Sequence, residues 1–343
     1  MSDTHPAAMA APVDDHRPKV SPLERVQHAL HSYPALSPAL VLVLACVVFG
    51  LLNDRFLQPQ NLSLILQQVA VVGALAVGQS MIILTAGIDL SVGAIMVLSQ
   101  MVMAKVAADH GWPGPLALLL GLVVGIAAGA LNGGLVTRFK LPPFIVTLGT
   151  LNIFTALTLL YSDGLSIPGT TLPSLLTWTG DTIDVGPFHI TYGVIVMLAL
   201  YAVFSYVLKG TAWGRHVYAV GDDAEASQLA GIRVNRVLFS VYIVAGLVFG
   251  IAAWILIGRI GSASPNAGVD ANLDSITAVV IGGISLFGGR GVLIGSLLGA
   301  LAVGVFRNGL ALAGVDVLYQ TFAVGVLVIT AVALDQWIRK VRS

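Results

Sequence analysis

Charged residues are scarce in this sequence: Asp, Glu, Lys and Arg make up 10% of its 343 residues. Soluble domains carry about 25% charged residues, and the hydrophobic share here is high, at 57%. Polar side chains are too few to cover the surface that a chain of this length would expose to water. The shortage of charge therefore excludes an ordinary soluble enzyme and predicts an all-α, polytopic bundle of membrane helices.

Three further absences exclude other classes of protein. The net charge is zero, so nothing favours binding to nucleic acid. A single cysteine, Cys46, excludes an internal disulfide and a thiolate metal site. The dipeptide Gly-Lys does not occur, so the chain has no Walker A loop for ATP. We therefore expect no catalytic residue, metal or cofactor in this chain.

Glycine, by contrast, is abundant at 38 residues, and small residues allow membrane helices to pack closely. A helix needs about 20 mostly apolar residues to cross a bilayer. The segments that meet or approach this length lie at about 37–53, 62–84, 89–108, 116–136, 144–162, 190–208, 237–257, 272–287, 291–310 and 317–336. The eighth, 272–287, is short and rich in glycine, so it is predicted to be a half-helix or a re-entrant segment. Whether it spans the membrane fully stays open.

The positions of Lys and Arg orient these ten segments. With both termini in the cytoplasm, 13 of the 17 basic residues fall on the cytoplasmic side. Residues 1–36 hold five prolines and mixed charges, and they are predicted to be a flexible cytoplasmic tail before a transmembrane domain at 37–343. The longest outside loop, about 163–189, carries three Asp residues and no basic residue.

One long cytoplasmic loop, about 209–236, interrupts otherwise short connections. Asp222 and Asp223 are typical of a helix N-cap, Glu225 suits a first turn, and Gly231 suits a C-cap. The loop is therefore predicted to contain a short helix parallel to the membrane, where a soluble partner could make contact. Short helices are common, and an ordinary connecting helix without a partner stays an alternative. The residues assigned to that contact are Gly221, Asp222, Asp223, Glu225, Ala226, Ser227 and Gly231.

A carboxylate lies between the second and third apolar segments, in Thr85-Ala-Gly-Ile-Asp-Leu-Ser-Val-Gly93. An acidic group at membrane depth is costly, which favours a functional role for Asp89. Alternatively, Asp89 or Ser91 caps the third helix by accepting bonds from its free N–H groups. The two roles are compatible, and both stay open.

A glycine-rich stretch follows Asp274 and Ser275 near the eighth segment. Its glycines break helix propensity repeatedly, and irregular backbone is tolerated in a membrane only where protein or water surrounds it. No βαβ pattern surrounds the glycines, so a nucleotide site is excluded. The structural glycines are Gly282, Gly283, Gly288, Gly289 and Gly291.

Together these motifs give the chain, from about residue 37 to its end, a resemblance to the permease subunits of ATP-binding-cassette sugar importers of the ribose, xylose and fructose group. It is carried by "LTAGIDLSVGAIMVLS", "KLPPFIVTLGT", "TAWGRHVYAVGDDAEASQLAGI", "GRIGSASPNAG" and "ITAVVIGGISLFGGRG". The segments "LPPFIVTLG" and "LDQWIRKV" are most similar to fructose-import permeases. Ser227 departs from the usual Glu-Ala-Ala core of the docking helix, and the N-terminal tail is not a shared feature.

The resemblance implies a multi-pass protein of the bacterial inner membrane that works as two permease copies, most simply a homodimer. Its implied partners are ATPase subunits, which hold the ATP and Mg²⁺, and a periplasmic sugar-binding protein. Which sugar is carried, and whether the dimer is homo- or heteromeric, stay open. A different cargo, such as a nucleoside or an autoinducer, is an alternative.

A sugar's hydroxyl groups would need scattered polar partners along the path, because an unpaired polar group in an apolar path costs about 1–3 kcal/mol or more. The candidates are Gln67, Gln68, Gln79, Thr85, Asp89, Ser91, Asn132, Thr147, Thr150, Asn152, Asp274 and Ser275. Each could equally make an ordinary hydrogen bond between helices. Two other classes are alternatives: a stand-alone secondary transporter using Asp89 and Asp274, and a membrane-embedded enzyme, for which no cluster of acid and His residues is present.

Overall fold

A computed structural model describes residues 36–340 of the chain, except Val269. The predicted N-terminal tail, apart from Leu36, lies outside the described residues. The described chain is helical almost throughout. Its α-helices are α1 Leu36–Leu52, α2 Pro59–Leu84, α3 Val92–His110, α4 Gly114–Arg138, α5 Pro143–Ser162, α6 Ser174–Thr177, α7 Tyr192–Gly210, α8 Ala212–Asp222, α9 Ala224–Leu229, α10 Val234–Ile260, α11 Ala271–Ile281, α12 Leu293–Leu312 and α13 Val317–Lys340.

Strands are confined to short pieces between the helices. Strand β1 (Ile167–Pro168) pairs antiparallel with β4 (Ser262–Ala263), and β2 (Thr182–Val185) pairs with β3 (Phe188–Thr191) as a hairpin. Two 3₁₀ turns, at Gly169–Thr171 and Trp178–Gly180, complete this region. We call the end of the bundle that carries these strands the hairpin end, and the opposite end, which carries α8 and α9, the α8–α9 end.

Seven helices, α2, α3, α4, α5, α7, α10 and α12, are long and apolar enough to cross a membrane. The apolar parts of α1, α11 and α13 are shorter. The predicted all-α, polytopic membrane bundle is therefore confirmed. How many segments cross the membrane stays a prediction of roughly ten.

Helix α10 lies at the centre of the bundle, where it packs against α2, α3 and α4. Its contact with α4 is close because glycines face each other there: a side chain at Gly125 on α4 would overlap the backbone of Gly246 on α10. Small residues allow such approach between membrane helices, and packing then replaces the hydrophobic effect as the source of stability. The large interior side chains, among them Tyr242 and Phe249 of α10, are fully buried or nearly so.

The span that includes α11 is interrupted. Helix α10 ends at Gly261, which has φ +67°, and the chain continues as irregular backbone through Pro265 and Gly268. This segment lies along α3, where Gln100 Nε2 donates a hydrogen bond to the carbonyl oxygen of Ser264 at 3.3 Å. The proline removes one donor and the glycine takes a positive φ, so a continuous helix cannot form here.

Helix α11 begins beside the start of α3, where the Gly93 N–H donates to Asn272 Oδ1. It has 11 residues and ends at Gly282, so only part of the predicted 272–287 segment is helical. A helix of this length extends about 16 Å, roughly half of a bilayer's hydrocarbon core. The half-helix predicted from the glycine content is therefore present.

Candidate functional site

The long loop at 209–236 contains two helices where one was predicted. The Asp223 side chain caps α9 by accepting a hydrogen bond from the Ala226 N–H at 2.9 Å, and Gly231 takes φ +86° just beyond the helix. Asp222, however, is the last residue of α8 and not a cap. The sequence does carry a signal for α8, since Trp213, Val217 and Val220 recur at helical spacing.

Helix α9 offers most of its surface to solvent. Ser227 is buried, whereas the side chains on either side of it are exposed, and Leu229 is 91% exposed. Six residues cannot hold a helix in water on their own, so α9 depends on its cap and on the neighbouring α8. Leu229 lies one helical turn after Glu225, so one face of α9 combines an exposed carboxylate with an exposed apolar side chain.

At the same end of the bundle, a loop of glycines meets α8 and the end of α2. We call residues 282–291 the glycine loop. The Gly289 N–H donates to the carbonyl oxygen of Leu84 at 2.9 Å, and the Tyr218 hydroxyl donates to the carbonyl oxygen of Gly291 at 3.0 Å. Burial raises the pKa of Tyr218, which keeps the hydroxyl protonated as a donor.

The predicted structural glycines all lie in this loop, and four of them need the conformations that glycine allows. The positive φ angles are +78° at Gly283, +84° at Gly288, +67° at Gly289 and +130° at Gly291, while Gly282 has an ordinary φ and packs against the backbone of Gly295 on α12.

A buried polar cluster surrounds Asp89, in the segment that joins α2 to α3. Asp89 Oδ1 accepts hydrogen bonds from the Ser91 N–H at 2.7 Å and the Ser91 hydroxyl at 2.6 Å. Asn132 Nδ2, from α4, donates to Ser91 Oγ at 2.8 Å and lies 3.5 Å from Asp89 Oδ2. Asp89 is 1% exposed, and within the described part of the chain it takes part in no ion pair. The predicted capping of α3 is wrong: neither the Asp89 nor the Ser91 side chain accepts a hydrogen bond from the first turn of the helix, and Asp89 instead binds the N–H of Ser91, the residue before α3.

Asp274 has a different environment, which the sequence did not predict. Arg307 of α12 donates to Asp274 Oδ1 at 2.7 Å, and its NH1 lies 3.6 Å from Asp270. Arg307 lies within α12, five residues before its end. An arginine inside an apolar helix was the available signal, because such a residue needs a buried partner.

The other predicted path residues are dispersed, and most of their polar groups bond to nearby backbone. Thr85, Thr150, Asn152 and Ser275 donate to carbonyl groups three or four residues earlier in the chain. Thr147 does the same and also donates to the carbonyl oxygen of Ile88 at 3.1 Å. Asn152 lies on the exposed face of α5, away from the Asp89 cluster. Gln67 and Gln68 are partly exposed on α2.

Several buried polar atoms have no hydrogen-bond partner among the described residues. They are both amide atoms of Gln79, Ser99 Oγ, Gln100 Oε1, Asn132 Oδ1 and the Tyr242 hydroxyl. Of these residues, Gln79 and Asn132 were predicted, and Ser99, Gln100 and Tyr242 were not. Each lies within a long apolar helix, so its polarity alone could have identified it. Leaving such atoms unpaired in an apolar interior is costly.

Comparison with known proteins gives one family and several close relatives. The family described as "Branched-chain amino acid transport system / permease component" matches residues 61–332. The fructose import permease protein FrcC of Rhizobium meliloti is 53% identical over 325 residues, 94% of this chain and 90% of the relative. The ribose import permease protein RbsC of Bacillus subtilis is 40% identical over 88% of this chain and 92% of its own length. The D-allose transport system permease protein AlsC of Escherichia coli is 36% identical, with coverage of 88% and 91%.

Proposed function

Because the chain belongs to the permease-component family of the branched-chain amino acid transport system, with sugar import permeases among its relatives, we propose that it carries a monosaccharide into the cytoplasm as the permease subunit of an ATP-binding-cassette importer. An ATPase partner, with its ATP and Mg²⁺, supplies the energy. The six-residue helix α9 carries this part of the proposal, because its exposed Glu225 and Leu229 offer a partner a carboxylate beside an apolar side chain.

We assign the ATPase contact to α9 and its flanks. The Glu225 side chain lies in the first turn, where the helix dipole favours an anion, and it is exposed beside Ala226. Buried Ser227 anchors the opposite face, while Gly231 allows the chain to turn away. A short helix with small side chains can approach the groove of another protein closely.

The orientation of the bundle in the membrane is proposed from the positions of Lys and Arg. We place the α8–α9 end in the cytoplasm and both termini on that side, in a bacterial inner membrane. The support is the excess of Lys and Arg in the segments assigned to this side, including Arg138, Lys140, Arg215 and Arg233. The hairpin end then faces outward, toward a periplasmic sugar-binding protein.

For the cargo, we propose fructose, with ribose or xylose as the next candidates. The support is the name of the relative that is 53% identical, together with the lower identity of the ribose and xylose permeases, 40% and 33%. We propose that two copies of the chain enclose the path. Within each copy, Gln79, Asp89, Ser91 and Asn132 are the strongest candidates to contact the sugar, since they combine deep burial with polar atoms near the ends of helices.

The docking role is tested by Glu225→Lys. We expect the ATPase subunit to fail to co-purify with the variant, and uptake of labelled fructose by cells to fall to background, because a lysine replaces the anion at the helix N-terminus. Asp54→Lys is the matched control: it makes the same charge change at an exposed position in the connection between α1 and α2.

Normal complex formation and full uptake by Glu225→Lys would contradict docking at α9. Transport by the purified chain in liposomes without any ATPase would instead establish a secondary transporter. Uptake of labelled ribose or xylose in preference to fructose would change the cargo and leave the importer class intact.

A further inference from the structure

We infer that motion of the docked helices reaches the polar cluster around Asp89 through one backbone contact, where α8, the end of α2 and the glycine loop meet. We define this glycine junction by Leu84, Ala86, Gly221, Gly288 and Gly289. The inference rests on the proposed docking at α9 and adds the residues through which docking acts on the membrane part of the bundle.

The junction is a contact between three backbones, with no room for side chains. The Gly289 N–H donates to the carbonyl oxygen of Leu84 at 2.9 Å. A Cβ added to Gly221 would overlap that same carbonyl and lie 2.7 Å from the Gly289 nitrogen. A Cβ added to Gly289 would lie 2.6 Å from Asp222 Cα. Segments packed this tightly transmit displacement, because a close-packed interior does not deform gradually.

Two side chains of α8 reinforce the contact. The half-buried Tyr218 donates its hydroxyl to the carbonyl oxygen of Gly291 at 3.0 Å. Asp222 and Arg290 face each other at 3.7 Å, but both side chains are more than half exposed, so this ion pair adds little. Helix α8 therefore contacts the glycine loop at both ends of the last turn of the helix, through Tyr218 and Asp222. Asp223, the next residue, caps α9, so the docking helix and the junction share one rigid connection.

From the junction, the chain leads directly to Asp89. Leu84 is the last residue of α2, and Ala86 takes φ +60°, a strained value for a residue with a side chain. The Ala86 N–H donates to Ile83, which fixes the turn. A Cβ on Gly288 would lie 2.8 Å from the Ala86 nitrogen, so the backbone of the glycine loop packs directly against this turn. Three residues later comes Asp89, so a shift at the junction moves the polar cluster.

The junction also controls α11. Helix α11 leads without interruption into the glycine loop at Gly282, and Asp274 lies in the first turn, at the other end of the helix. Both interrupted segments of the bundle, the one that enters α3 and the one that contains α11, therefore have one end at the junction. A physical route between distant sites requires such contiguous elements, and its existence must be shown by coupling measurements.

The direct test is Gly221→Ala, compared with Gly134→Ala. Both glycines are in helices, but a Cβ at Gly134 would meet nothing within 4 Å. Gly221, which the sequence had assigned to the partner contact, is buried against Leu84 and Gly289 and does not face a partner. With Gly221→Ala we therefore expect the ATPase subunit to co-purify as before and fructose uptake to fall roughly tenfold. The control should transport normally.

A second experiment measures whether the segment next to Asp89 changes its exposure when ATP binds to the partner. We would place Ile88→Cys, a partly exposed position next to Asp89, in a background carrying Cys46→Ala. The complex with its ATPase should react with a water-soluble maleimide at different rates with and without ATP. Adding Gly221→Ala should abolish this difference while the ATPase stays bound.

Normal uptake and a normal ATP-dependent labelling difference in Gly221→Ala would overturn the inference and leave docking at α9 intact. Loss of ATPase binding in that variant would also overturn it, because Gly221 would then belong to the docking surface. If Gly221→Ala does not accumulate in the membrane, Tyr218→Phe decides the question. It removes only the hydroxyl bond to Gly291, and it should reduce the labelling difference; an unchanged difference would refute the junction.

Discussion

Two acidic residues, Asp89 and Asp274, lie near helix starts that follow irregular backbone, and their surroundings differ. Asp89, just before α3, is surrounded by the neutral partners Ser91 and Asn132. Asp274, in the first turn of α11, is paired with Arg307 at 2.7 Å. A buried charge needs compensation, so the ion pair at Asp274 holds α11 against α12. At Asp89 the donors are a hydroxyl, a side-chain amide and a backbone N–H, and no cation takes part among the described residues.

Breaking the ion pair should have the largest effect. Replacing Arg307 by Met leaves Asp274 buried without its cation, which we expect to cost about 3–5 kcal/mol of folding free energy. Thermal unfolding in detergent measures the loss. Arg290→Met is the matched control, because its ion pair with Asp222 is exposed and should contribute at most about 1 kcal/mol. Equal losses in the two variants would show that Arg307 does not compensate Asp274.

A smaller effect is expected in the neutral cluster. Asn132→Leu removes the amide that donates to Ser91, and we expect a loss of about 1–3 kcal/mol because the remaining buried hydroxyl is left without this partner. The same substitution at Asn152, on the exposed face of α5, should change stability by less than about 1 kcal/mol. An equal loss of stability in Asn152→Leu would show that the hydrogen bond in the Asp89 cluster does not contribute specifically to stability.

The smallest effect concerns the support of the Asp89 segment. Thr147→Val removes the hydroxyl that donates to Ile88 and to its own helix, and we expect a loss of about 0.5–1.5 kcal/mol. Thr155→Val, on the same helix, removes an exposed hydroxyl bonded only to Leu151 and should be nearly neutral. Thermal unfolding of both variants measures the difference in stability. An unchanged stability of Thr147→Val would show that this hydroxyl of α5 does not stabilise the segment that contains Asp89.

Much of this architecture could be predicted from the sequence. The long apolar segments and their approximate limits follow from composition, and the cap at Asp223 and the turn at Gly231 follow from residue types with strong local preferences. The short eighth segment was also predicted, because the glycines after Ile281 disfavour a helix locally. These features depend on neighbours along the chain.

The remaining features depend on neighbours in space. The pairing of Arg307 with Asp274 joins residues from different helices, and nothing in either segment specifies the other. The same holds for the contact of Gly221 with Leu84 and Gly289. Helix α8 differs from these contacts, because the helical spacing of Trp213, Val217 and Val220 is a local signal that indicates it.

The break before α11 determines which side of the bundle can touch lipid. Backbone groups at Ser264 through Gly268 cannot face acyl chains without losing hydrogen bonds, so this flank of α3 must be covered by protein or by water. Helix α1, with leucine and valine side chains exposed along its length, is suited to acyl chains. A photoreactive lipid probe should therefore label α1 strongly and leave the flank beside the broken segment unmarked.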